Sequence, residues 1–197
     1  MTEGLLLGAY QLPSFKHKKE ESLDKKYSLA LSFLIDKPTK SSAQAIEKAK
    51  QLTKAIQFGR DLANLPANLC GPKDVVETFQ DILKDHRQIT LNLIDRKKAK
   101  ALGMGAFLAV AQGSEKEPFM MHLSFNKKAA KKPLVLIGKG VTFDSGGISL
   151  KGSRGMMEMK ADMTGACVVL STLLALSALN SKASVEVLVP LVENMPS

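Results

Sequence analysis

Apolar residues along the chain switch between spacings of two and of three to four, and each switch marks an element. "SLALSFLI" (28–35) is apolar enough for a short strand. "DKPTKSSAQ" interrupts it, and Ser41 with Gln44 has the spacing of a capping box. Ile46, Ala49, Leu52, Ile56 and Leu62 then recur at helical intervals, which predicts a helix running to about Leu65. "NLPANLCGP" is a loop bounded by proline and glycine, and Pro72 suits the opening of a helix from roughly Lys73 to Asp85. "ITLNLID" (89–95) alternates as a half-buried strand does, and a short Lys/Ala helix follows, ending near Gly103.

Three strand-like runs come next: "AFLAVAQG", "FMMHLSF" and "PLVLIG". The last is continuously apolar and β-branched, which predicts a central, buried strand. Beyond a glycine-rich loop, the stretch from Asp162 to Leu179 suits a buried helix, and "ASVEVLVPLV" (183–192) a strand. Residues 133–192 therefore read as β–loop–α–β, the crossover unit of a parallel or mixed α/β sheet. Ligands of such sheets gather beyond the carboxyl ends of strands, and the loop beginning at Lys139 lies there.

Composition narrows the class. With 45% hydrophobic and 24% charged residues, a chain of 197 residues can bury a sizeable core. Aromatics make up only 5%, a poor supply of stacking platforms for single-stranded nucleic acid. Cys70 and Cys167 stand apart without metal or redox spacing and read as buried free thiols of a reducing compartment. Glu3 stands where a signal peptide carries positive charge, and the apolar run from Ala166 to Leu179 falls short of the ~18 residues of a membrane span. The expectation is a soluble cytoplasmic protein. The net charge of +9 comes from clusters at 16–20, 95–100 and 126–132. They flank apolar strands without forming a long basic helix face, so solvated loops and helix ends are favoured over a nucleic-acid surface.

Candidate chemistry concentrates in "GKGVTFDSGGISLK" (138–151), which admits three readings. "DSGG" also surrounds the nucleophile of chymotrypsin-like proteases, but those need an all-β scaffold and an orienting His–Asp pair. This chain alternates strands with helices, and His17, His86 and His122 lie in charged or edge segments. A phosphate loop needs Gly-x4-Gly-Lys-Ser/Thr, whereas Gly140 follows Lys139 here. A metal site fits better: Lys139 ends an apolar strand, Asp144 follows five residues later, and Asp162 opens the next helix. Oxygen donors suit Mn²⁺, Mg²⁺ or Zn²⁺, and a lysine joins them only as a neutral amine, its pKa depressed by burial and the nearby cation. The competing reading of any one aspartate in such a turn is a side chain that merely stabilises the turn.

"VLIGKGVTFDSGGISLK" followed by "GMMEMKADMTGA" resembles the core of the leucyl (cytosol) aminopeptidases, two-metal exopeptidases. "GLLLGAYQLPSFK", "RDLANLPANLCGP" and "PLVENMPS" extend the resemblance over essentially the whole chain. It implies a fold that is α/β, part of a three-layer α/β/α catalytic domain with a mixed central sheet. It implies two divalent metal ions, Mn²⁺ or Zn²⁺ with Mg²⁺ as a further candidate, about 3.5–4 Å apart. Lys139 and Asp162 would then be ligands of one ion and Asp144 would bridge both. Lys151 would be the catalytic lysine, polarising the scissile carbonyl and stabilising the gem-diolate. Peptides would be the substrates, leucine and other mostly apolar amino-terminal residues would be released, and the full-length family implies a homo-hexamer without membrane or nucleic-acid partners.

Some positions depart from the family pattern. Thr164 and Cys167 replace small residues of "DMGGAA", Gly152 stands where proline is common, and Arg154 adds a charge. None of these removes a ligand. The family's second signature, "NTDAEGR", which supplies two further carboxylates, is absent from residues 1–197. The expectation is an incomplete catalytic domain, with the amino-terminal domain and the carboxy-terminal part of the site absent, and inactive alone. The alternative is a non-catalytic binding protein, with nucleic acid as a candidate partner, that retains the scaffold.

Overall fold

The computed structural model describes residues 1–12, 15, 32–34, 36–37, 39–126 and 132–196. A short helix α1 (Thr2–Gly8), which the apolar pattern does not announce, packs on the long helix α2 (Lys40–Asn64). Gln57 donates to the Leu6 carbonyl, and Tyr10 donates to Asp61 at 2.8 Å with Arg60 over its ring. The expected capping box belongs to other residues: Thr39 Oγ1 accepts from the Ser42 amide and Ser42 Oγ from the Thr39 amide. The helix therefore starts at Lys40 and not beyond Ser41. The strand expected at 28–35 lies mostly outside the described residues, and 32–34 have no regular structure.

Helix α3 (Pro72–Leu83) opens on its proline as expected and leads to β1 (Ile89–Ile94) and to α4 (Arg96–Ala101), capped by Asp95. "AFLAVAQG" is a correction. It holds a helix, α5 (Gly105–Val110), because its Ala and Leu favour the helix and its apolar residues do not alternate strictly. Lys97, Lys98 and Lys100 of the middle basic cluster are exposed on α4, as solvated charges should be. The clusters at 16–20 and 126–132 lie wholly or mostly outside the described residues.

Five strands form one mixed sheet. β1 pairs antiparallel with β2 (Phe119–Phe125), and β2 antiparallel with β5 (Val185–Asn194). The other side of β5 carries β3 (Leu134–Ile137) and then β4 (Gly140–Asp144), both parallel to it. Between β4 and β5 run a 3-10 helix (Met156–Met163) and α6 (Thr164–Ala178), completing the expected crossover.

Among the described residues the central strand is β5 and not β3. Val185, Val187, Val189 and Leu191 of β5 are buried, whereas Leu134 is 61% and Ile137 70% exposed. Among the described residues β3 has only β5 as a sheet neighbour, so a run apolar enough for the centre stands at the edge. On the covered face, Met121, Leu123 and Phe125 of β2 join those β5 residues under Val75, Val76 and Phe79 of α3 and Leu170 and Leu173 of α6. Outside α6 lies α2, whose buried Ala49, Ala55 and Gly59 allow the close approach.

The helical run Met156–Ala178 spans 23 residues and contains an 18-residue window with a mean hydropathy of 1.6, long and apolar enough to cross a membrane by length and composition. That exceeds the sequence expectation because the 3-10 turn lengthens the helical run. Met163, Ala166, Leu170, Leu173 and Leu174 of this run are buried in the core between sheet and α2.

Candidate metal centre

The site is built where β4 stops. Gly146, at φ 94°, turns the chain in a conformation that a side chain would strain. The turn hangs on the end of β5: the amide and the hydroxyl of Ser145 both donate to the Asn194 carbonyl, at 2.9 and 2.8 Å. The Lys151 amide then donates to the Ser145 carbonyl, which folds the glycine-rich loop back on itself.

That closure sets Lys151 over Asp144. Lys151 Nζ lies 2.5 Å from Asp144 Oδ2 and 3.0 Å from Met159 Sδ. Asp144 Oδ1 accepts from the Gly146 amide at 3.0 Å and from Asn194 Nδ2 at 2.7 Å. Burial alone would push this carboxyl up. The hydrogen bonds from Lys151, Gly146 and Asn194 and the lysine charge outweigh it and hold the pKa down at about 2.

The second half of the site lies at the start of α6. Gly138 and Lys139 form the break between β3 and β4. The Lys139 carbonyl accepts from the Ala166 amide at 2.8 Å, stitching the break to the first turn of α6. Gly165 allows this approach, since a Cβ there would stand 2.9 Å from the Lys139 nitrogen. Lys139 Nζ meets Asp162 Oδ1 at 2.8 Å. Asp162 Oδ2 is buried and has no hydrogen-bond partner among the described residues. The 3-10 helix bearing Asp162 is tied to α2 by Lys160, which donates to the Asn64 carbonyl.

The four candidates from the sequence thus stand as two ion pairs, Lys151 with Asp144 and Lys139 with Asp162. Ser145 is 4% exposed and serves the turn. His86 faces Ser177 at 2.8 Å and His122 faces Glu186 at 2.7 Å, so neither orients it; His17 lies outside the described residues. Asn194 and Met159 escaped the sequence reading. Asn194 becomes visible only when the parallel register sets it opposite Asp144, fifty positions earlier.

The donors offered to a metal are two carboxylates and the amine of Lys139. No group of three or more His, Cys, Asp or Glu forms among the described residues. The set still fits a hard or borderline divalent cation: its donors are oxygen and nitrogen, and one buried carboxylate oxygen lacks a partner among the described residues.

The profile described as "Cytosol aminopeptidase family, catalytic domain" matches residues 57–197. A probable cytosol aminopeptidase of Azotobacter vinelandii is 42% identical over 199 aligned residues, covering 100% of this chain and 40% of the relative. One of Haemophilus influenzae is 39% identical over 189 residues, covering 95% of this chain and 38% of the relative. The chain thus spans about two fifths of the length of these relatives. Among solved structures, the cytosol aminopeptidase from Coxiella burnetii superposes with a TM-score of 0.82 at 28% identity, covering all of this chain and 39% of that one. The bottromycin maturation enzyme BotP in complex with Mn gives a TM-score of 0.78 at 30% identity, with the same coverage. The chain belongs to the cytosol aminopeptidase family, and its residues 57–197 match that family's catalytic domain.

Proposed function

We propose that this chain is the metal-binding portion of an aminopeptidase that releases leucine and other mostly apolar amino-terminal residues from peptides. Lys139, Asp144 and Asp162 would hold divalent cations, Mn²⁺ or Zn²⁺, and Lys151 would act on the substrate carbonyl. Asp162 Oδ2 carries the reading, because a buried carboxylate oxygen without a donor is costly unless a ligand completes it. A pair of bound cations would supply a hydroxide at neutral pH and hold the substrate's terminal amine.

The chain's own groups have separate tasks. Lys151, paired with Asp144 Oδ2 here, would bring its positive charge to the developing oxyanion once it releases that carboxylate. Lys139 must offer a lone pair to a cation, so it has to leave its pairing with Asp162 as a neutral amine. Three protein donors fall short of the roughly four to six that such ions take, so the 197 residues alone should turn over little substrate. The working protein in this proposal is cytoplasmic and hexameric, as the resemblance implies.

The test is to exchange this chain for the corresponding segment of the Azotobacter vinelandii relative and assay a leucine anilide with Mn²⁺. Activity that Asp162→Asn abolishes supports the reading. A folded, hexameric exchange product without activity would refute it.

A further inference from the structure

We propose that Asn194 is the positioning residue of Asp144, fixing which of its carboxylate oxygens is free to meet a cation. The proposal deepens the metal-site reading above and rests on it for its functional meaning. Asp144 Oδ1 is engaged by two neutral donors of the scaffold, Asn194 Nδ2 at 2.7 Å and the Gly146 amide at 3.0 Å. Oδ2 faces only the side chain of Lys151 among the described hydrogen bonds. Oδ1 is therefore held by a backbone amide and a short side chain, and Oδ2 by a long, partly exposed side chain. An exchange of partners at Asp144 has to begin at Oδ2.

Asn194 is itself held from both sides. Its carbonyl takes the amide and the hydroxyl of Ser145, and its side-chain oxygen lies against Gly147, where a Cβ would stand 2.9 Å away. The preceding residue, Glu193, is 8% exposed and paired. Glu193 Oε1 accepts from Lys116 Nζ at 2.6 Å and Oε2 from Ser114 Oγ at 2.6 Å, while Lys116 also donates to the Ala67 carbonyl. Two loops thus clamp the end of β5 from which the Asn194 amide reaches Asp144. A glutamine would overshoot in the space left by Gly147, and an aspartate would set a second carboxylate against the first. The donor and its length are both specified.

Two measurements on this chain decide the matter. In the unsubstituted protein, the Asn194 side-chain amide is expected to show a downfield proton and slower solvent exchange than the exposed Asn68. The signature should persist in Lys151→Ala and vanish in Asp144→Ala. An amide indistinguishable from that of Asn68 would overturn the proposal. Second, Asn194→Leu, which keeps the bulk and loses the donor, is expected to weaken Mn²⁺ binding by about tenfold or more. Ser145→Ala, which loosens the same turn, should change Mn²⁺ affinity by less than about twofold while lowering thermal stability. Equal Mn²⁺ affinity of Asn194→Leu and the unsubstituted chain would also overturn it. If the unsubstituted chain takes up no Mn²⁺, the metal reading falls for this chain, and the amide signature alone decides on Asn194.

Discussion

Two aspartates, one at the end of β4 and one just before α6, stand in opposite bonding conditions. Asp144 is saturated: two neutral donors hold one oxygen and Lys151 holds the other. Asp162 is half satisfied, with Lys139 on Oδ1 and, among the described residues, nothing on a buried Oδ2. The fold spends its polar contacts on fixing the first carboxylate and leaves the second with bonding capacity to spare. A turn that merely stabilised itself would need only the first arrangement. The second leaves a buried acceptor open among the described residues, and that is what directs the ligand reading to the start of α6.

The widest separation between turn and ligand roles should appear in activity. In the exchanged aminopeptidase, Asp144→Ala should lose nearly all turnover of a leucine anilide, while Ser145→Ala should retain most of it. Labelling of Ser145 by a serine-directed fluorophosphonate would contradict that assignment. Next in size is Gly165→Ala, which forces a methyl to 2.9 Å from the Lys139 backbone. It should cost about 1–3 kcal/mol in denaturant unfolding, as overpacking does.

The two aspartates can then be compared directly in the chelator-treated chain. Asp144→Asn should lower the thermal midpoint by an amount corresponding to about 1–3 kcal/mol, the worth of hydrogen bonds to a charged group. Asp162→Asn should stay within about 1 kcal/mol, because its partner Lys139 is 60% exposed and its other oxygen loses only a desolvated charge. Acid sharpens the contrast. The Asp144 pKa falls on folding from 3.8 to about 2, so its contribution is fully present above pH 3.8 and is lost as pH falls through about 2. Asp144→Asn should flatten the stability profile across that window.

The smallest effect concerns the thiols. Burial raises Cys70 to about 11 and Cys167 to about 12, so both should resist a thiol reagent at pH 8 until the chain unfolds. Reaction at the native rate of an exposed cysteine would place them elsewhere than in the core.

Much of this was readable along the chain wherever a local pattern decides. The periodicity of α2, the proline at the head of α3 and the alternation of β1 each depend on neighbours a few residues away. "AFLAV" failed because apolar residues without strict alternation also suit a helix. "PLVLIG" failed because centrality is set by what pairs on each side, and β3 meets only β5 among the described residues. At the site, glycines and charged residues in one loop pointed to Lys139, Asp144, Lys151 and Asp162, but the sequence gives no partner assignments. Those come from long-range register, which brings Asn194 to Asp144.

The most direct test of the central claim is a Mn²⁺ titration of this chain by calorimetry, with Asp144→Asn and Asp162→Asn alongside. Weak binding is expected, which each substitution removes, with the folded state of Asp162→Asn intact. Binding unchanged by Asp162→Asn, or two tightly held ions per chain with turnover of a leucine anilide to match a full-length relative, would contradict it.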